Sequence, residues 1–177
     1  MEAATEVFAE RGIHGATLAD VALRAGMTTG AIYGNFRNKE ELLLATFERF
    51  AFAVNEELQE GASFEGASFR EQMRRIGEAV IAFLPTAEAH GVLFFELHTY
   101  ALTHPDFRAR TDRLTKAKYE AIAERWSGFL DEGQTGMPME QFVALIDAMI
   151  DGLICQWRLT PSVMTDEVIM AAFLALA

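Results

Sequence analysis

Residues 17–39 read TLADVALRAGMTTGAIYGNFRNK. Leu18, Val21, Ala22 and Ala25 recur at i, i+3, i+4 and i+7, which places them on one face of a short helix. Thr17 stands where an N-cap belongs, and Asp20 three residues later completes a capping-box pattern. Gly26 offers the left-handed stop that a helix C-terminus favours. Thr28 then caps a second short helix carrying Ala31, Ile32 and Tyr33. Asn38 opens a third, with Glu41 three residues on. Helix, glycine turn, helix is a helix-turn-helix, a motif whose second helix enters a DNA major groove.

Four pieces of the N-terminal stretch carry a resemblance: FAERG at 8–12, ATLADVALRAG at 16–26, TTGAIYGNF at 28–36 and NKEELL at 38–43. In this order and spacing the segment resembles the DNA-binding domain of the TetR family of transcriptional regulators. The resemblance implies an all-α protein with a three-helix helix-turn-helix domain over residues 1–49. A helical bundle for effector binding and dimerisation would fill residues 50–177. It also implies DNA contacts from Thr17, Thr28, Thr29, Gly30, Ala31, Tyr33 and Lys39. Chemically, Thr17, Thr28 and the Tyr33 hydroxyl can donate to phosphate oxygens, and Lys39 can pair with phosphate as a point charge. Gly30 lets the backbone approach closely. Ala31 and the Thr29 methyl suit a thymine methyl. The chain departs from the family in places. Many relatives have lysine where Thr29 stands and proline where Arg37 stands, and Gly34-Asn35 occupies the place of a frequent aromatic or histidine pair.

The bulk numbers set bounds on this reading. The net charge is −11 over 177 residues. Residues 1–50 hold five basic and seven acidic side chains, so most of the acidity falls in the body. An acidic body is repelled by DNA, which favours approach by the N-terminal face. Mean hydropathy is +0.11, yet no apolar run reaches the roughly 20 residues a membrane helix needs. Cys155 is the only cysteine, which excludes an intrachain disulfide and suits a reducing cytoplasm. No membrane partner is expected.

Beyond the motif, helical spacing continues throughout. Ala4, Val7 and Phe8 give a first helix that Gly12 should end. A helix from Lys39 carries Leu43, Phe47, Phe50, Val54 and Leu58. Residues 61–68 are small and polar, a loop by composition. The next helix starts at Phe69 and should stop at Pro85. Residues 92–102 are apolar nearly all round, which predicts burial on most sides. A long helix should run from Pro105 to about Asp131, followed by a loop over 133–138. Residues 139–157 carry two apolar stripes, and 168–177 hold no polar side chain at all. Two stripes need two partners. We therefore expect a homodimer through the last two helices, with Ile146, Ile150, Ile154, Trp157, Ile169 and Phe173 at the interface.

Chemistry of other kinds finds little support. Glu96 and His98 are two residues apart, so they cannot share a helix face as metal ligands. No Glu is followed three residues later by His, and GxSxG, Walker A and GxGxxG motifs are absent. Neither an enzyme, nor a metal site, nor a cofactor is expected. An effector in such regulators binds in the body, and Phe83, Phe94, His98, Tyr119, Trp126 and Met149 are candidate walls for a small apolar molecule. His98 stands alone among Phe94, Phe95, Leu97 and Tyr100; a ligand oxygen or a neighbouring carbonyl could satisfy its imidazole. The functional expectation is a cytoplasmic repressor that binds a palindromic operator and is released by its effector. The alternative is a helical ligand-binding or interaction module whose helix-turn-helix no longer binds DNA.

Overall fold

The computed structural model describes the backbone of every residue except 62–65, and the side chains of all except 51–65 and 86–90. Helices follow one another in the order α1 (Glu2–Gly15), α2 (Leu18–Arg24), α3 (Thr29–Asn35), α4 (Lys39–Gly61), α5 (Phe69–Thr103), α6 (Pro105–Trp126), α7 (Glu132–Thr135), α8 (Met139–Leu159) and α9 (Asp166–Leu174). No strand occurs among the described residues, and the all-α expectation holds.

The chain divides into two compact units. The first comprises Met1–Phe52 and Ala89–Thr115, the second Ala53–Glu88 and Lys116–Ala177. In the first, the stripes of the short N-terminal helices close on one another: Val7, Phe8, Leu18, Val21, Ile32, Leu42 and Leu43 are buried together with Leu93, Leu97 and Phe107. Thus 89–115, which in sequence looks like body, shares the core of the helix-turn-helix. The second unit buries Met73, Ile76, Val80, Trp126, Phe142, Ile146, Ile150, Ile169 and Phe173 in one cluster.

Several helix boundaries differ from those expected. Gly12 breaks α1 but does not end it. Its φ of 70° and ψ of 163° are non-helical, and the helix resumes to Gly15. That backbone region is open in practice only to glycine. The Ile13 N–H beyond the break donates to a carboxylate oxygen of Glu96, at 3.0 Å. Pro85 does not stop α5, which runs on to Thr103. A proline has no N–H for the carbonyl four residues before it. The helix is carried past it because Phe83 and Leu84 are buried on one side and Leu93 and Leu97 on the other. The stretch 92–102 is not buried on most sides. Leu93 and Leu97 are, but Val92 and Leu102 lie 56% and 73% exposed. The helix expected to reach Asp131 stops at Trp126. Asp131 instead caps the short α7 in a capping box with Gln134, and Gly136 (φ 69°) closes it. Val54, Leu58 and residues 62–65 of the expected loop lie outside the described residues.

Candidate nucleic-acid interface

The motif begins with its caps. Thr17 Oγ1 accepts from the Asp20 N–H at 3.2 Å, and the Thr17 N–H donates to Asp20 Oδ2 at 3.0 Å. Both members of the expected capping box are therefore present. The Thr17 hydroxyl also donates to Asp20 Oδ2, at 2.6 Å. Its proton is thus occupied by the cap, which leaves Thr17 without the free donor expected for a phosphate. At the second cap, Thr28 Oγ1 accepts from the Ala31 N–H at 3.2 Å. That hydroxyl keeps its own proton to give. Gly26, at φ 64°, makes the turn between the two helices.

Helix α3 is sorted into two faces. Ile32 is 3% exposed and belongs to the core. Thr28, Thr29, Gly30, Ala31, Tyr33, Gly34 and Asn35 are all exposed. A Cβ on Gly34 would meet nothing within 4 Å, and one on Gly30 would meet only Thr28 Oγ1 at 4.0 Å. The outer face is therefore smooth and neutral, so backbone can come close to base edges along a full turn. Phe36 is half-buried and packs against the core.

The cations around this face are mostly engaged. Arg24 pairs with Glu6 at 2.9 Å and with Glu10 at 2.6 Å, tying α2 to α1. Arg11 pairs with Asp20. Lys39, expected at phosphate, instead donates to the carbonyls of His14 (3.2 Å) and Ala16 (3.0 Å), where α1 ends. Desolvation there lowers its pKa from the usual lysine value. A lysine has three N–H donors, so one remains. Sequence reasoning did not foresee this use, because carbonyls freed at a helix end leave no mark in the side-chain pattern. Glu41 and Arg37 form a further unit. Glu41 N–H donates to Asn38 Oδ1 at 3.0 Å, and Arg37 N–H donates to Glu41 Oε2 at 2.8 Å. The cap expected from Asn38 is therefore present, and only the return bond from Glu41 goes one residue earlier, to the Arg37 N–H.

Comparison with known proteins identifies the assembly. The family model "Bacterial regulatory proteins, tetR family" matches residues 1–46, and "BetI-type transcriptional repressor, C-terminal" matches residues 69–176. The chain belongs to the TetR family. It is a helix-turn-helix transcriptional regulator and not an enzyme. A repressor, BepR of Brucella suis, is 25% identical over 164 residues, covering 88% of this chain and 77% of the relative. The fatty acid metabolism regulator protein of Bacillus subtilis is 28% identical over 169 residues, covering 94% and 83%. The crystal structure of FadR from Bacillus subtilis in complex with stearoyl-CoA shares the fold. Its TM-score is 0.66 at 21% identity, with 99% of this chain and 94% of that one covered.

The residues expected to line a TetR effector pocket are divided between the two units. Phe94 and His98 pack in the first unit, with ring centroids 4.2 Å apart, and His98 lies 5.4 Å from Phe47. The His98 Nδ1 is 2.9 Å from the Phe94 carbonyl, so its own helix supplies a partner. Phe83, Tyr119, Trp126 and Met149 belong to the core cluster of the second unit. A polar group that sequence reading passed over lies beside them. Lys118, 4% exposed, donates to Asp147 Oδ2 at 2.7 Å, and the Tyr119 hydroxyl donates to the same oxygen at 2.8 Å. Burial, then the Asp147 charge, raises the Tyr119 pKa. Asp147 and Asp151 look in sequence like an exposed acidic face; instead both are half-buried, and Asp147 anchors this cluster.

The residues expected at a dimer interface are for the most part core. Ile146, Ile150, Ile154, Ile169 and Phe173 are each 6% exposed or less within the single chain, and Trp157 is half-buried. Both apolar stripes of α8 are therefore served largely by the chain itself. α8 leaves exposed Glu140 and Gln141 in its first turn and then the stripe Leu145, Ala148, Gly152, Gln156 and Leu159; α9 leaves Asp166, Glu167, Val168 and Ala171.

Proposed function

We propose that this TetR-family regulator is a repressor that binds a palindromic operator as a homodimer in the cytoplasm and is released by a small apolar effector. The observation that carries the DNA reading is the exposed face of α3. Thr28, Thr29, Gly30, Ala31 and Tyr33 face outward while Ile32 anchors the helix. Thr28 and Tyr33 supply hydroxyls for phosphates, and Ala31 with the Thr29 methyl supplies apolar contact for thymine. The engaged state of Arg11, Arg24 and Lys39 favours a second reading, a regulator-like module that no longer binds DNA. A gel shift with the protein's own upstream DNA separates the two. A retarded band that sequence-matched competitor removes supports the first, and no shift at low salt supports the second.

For the effector, the reading rests on the apolar walls of the second unit and on the FadR structure, which holds stearoyl-CoA with its long acyl chain. Long-chain acyl compounds are the class to test first. Release requires that the effector bind one conformer better than the other, and its differential affinity limits the shift.

For the dimer, the exposed stripe Leu145, Ala148, Gly152, Gln156 and Leu159 is the better candidate, because its small residues let helices approach closely. Two copies should place their α3 helices about 34–36 Å apart, one turn of duplex. Ala148→Arg should give soluble monomers with unchanged helix content and operator binding weakened by about tenfold or more. Light scattering and circular dichroism together check this; a monomeric parent protein refutes it.

A further inference from the structure

We propose that Arg37 is the phosphate-gripping cation of this DNA-binding unit and that Glu41 positions it. The proposal rests on the DNA-binding reading above and goes beyond it, since none of the contacts expected by resemblance includes Arg37. It begins with the use made of each cation near α3. Arg11 is paired with Asp20, Arg24 is held between Glu6 and Glu10, and Lys39 donates to two carbonyls. Arg37 is different. Its side chain is 89% exposed, and its one ion pair among the described residues, Nε to Glu41 Oε1, is long at 3.9 Å. A pair this loose and exposed contributes little and yields readily to a stronger acceptor.

Position supports the assignment. Arg37 follows α3 (Thr29–Asn35) by two residues and precedes α4 (Lys39–Gly61) by two. A helix lying in a major groove has sugar-phosphate backbone along the groove's edges, and the segment leaving the helix meets it. The backbone there is fixed: the Arg37 N–H is held by Glu41 Oε2 at 2.8 Å, and Glu41 is itself anchored through its N–H to Asn38 Oδ1. Glu41 thus sets where the arginine side chain begins, and leaves the guanidinium fork free. An arginine fork matches phosphate in two parallel hydrogen bonds, which a lysine cannot reproduce. On a face of threonines, glycines, an alanine and a tyrosine, Arg37 supplies a charge that no exposed side chain of α3 carries.

The experiment is operator affinity measured against salt for the parent protein and for Arg37→Ala, Arg37→Lys, Glu41→Ala and Arg125→Ala. Parent DNA is its own upstream region, with scrambled DNA in parallel. Arg37→Ala should weaken both DNAs by about tenfold and flatten the slope of log K against log salt by about 0.9. Arg37→Lys should keep the slope and lose part of the affinity. Glu41→Ala, which removes the acceptor of the Arg37 N–H, should weaken binding with the slope kept. Arg125→Ala, exposed on α6 in the other unit, should change neither. An unchanged slope and affinity in Arg37→Ala, with parent binding intact, overturns the proposal alone. A changed base preference at constant slope overturns the phosphate assignment and makes Arg37 a base reader. An equal slope change in Arg125→Ala also overturns it, by showing that the slope reports overall charge. No binding by the parent overturns the DNA reading and this proposal together. Helix content by circular dichroism confirms that each variant is folded.

Discussion

Phe173→Ala should lower the unfolding free energy by about 3–5 kcal/mol, the range for emptying a buried aromatic site. Phe173 is 0% exposed, near the end of α9, and α9 is a short helix with only Ile169 buried beside it. Its ring lies against α5 where Gly77 has no side chain. A Cβ placed on Gly77 would be 3.1 Å from Phe173 Cδ2, 3.2 Å from Met170 Sδ and 3.3 Å from Met170 Cε. The glycine is therefore room for the phenyl ring, kept at the cost of helix propensity. This gives a sharper form of the prediction. Gly77→Ala in the parent should be neutral or destabilising, because crowding cancels the roughly 1 kcal/mol that alanine gains over glycine inside a helix. In the Phe173→Ala background the ring's share of the crowding is gone and only the flexible end of Met170 must shift, so the same change should stabilise by up to about 1 kcal/mol. Urea melts of the four proteins form the cycle. Additive effects would show that the ring does not rest on Gly77. Phe173→Glu should unfold the second unit and not simply split a dimer, because the carboxylate would be buried without a partner.

The local part of the fold was legible in the sequence, and the reason is visible in the caps. Thr17, Asp20, Gly26 and Thr28 act on backbone within three or four residues of themselves, so their spacing carries the whole instruction. Ile32 against exposed Thr29, Ala31 and Tyr33 follows from the same periodicity. What periodicity could not assign is the partner of a stripe. Ile150 and Ile154 were apolar as expected, but an apolar face reads alike whether its own chain or a second copy covers it. Polar groups that act over long separations were hidden for a similar reason. Glu96 meets Ile13 across 83 residues, and Lys118 meets Asp147 across 29. Neither pair leaves a trace in any window of one helix. Pro85 misled in the opposite direction. Its local rule is sound, but burial of the segments before and after it outweighs one lost hydrogen bond in a helix of 35 residues.

The last of these long-range groups sets an expectation for stability against pH. Asp151 lies one turn along α8 from Asp147, half-buried. Burial raises its carboxyl to about 7, with the Asp147 charge adding to the rise and Lys118 opposing it. In the unfolded chain the same carboxyl returns to its ordinary value of 3.8. Between those two values the folded protein holds this proton and the unfolded chain has released it. Stability linked to Asp151 must therefore fall as pH rises through that window, and level off above about 7. This runs against the usual acid sensitivity of a carboxylate. Glu71, part-exposed on α5, shows the usual case: its hydrogen bonds to Arg74, then Arg75, lower it to about 2, so its contribution is lost as pH falls. Asp151→Asn keeps the shape of the protonated acid and cannot ionise. Compared with the parent, it should gain about 2 kcal/mol of relative stability between pH 5 and pH 8. Most of that gain should appear between pH 5 and pH 7. Urea denaturation of parent and variant at half-unit steps measures the difference directly and cancels the titration of every other group. A difference that stays constant from pH 5 to pH 8 would mean that Asp151 is already ionised in the folded protein at pH 5. Lys118→Met should then cost about 3–5 kcal/mol by removing the cation that pairs with Asp147 at 2.7 Å.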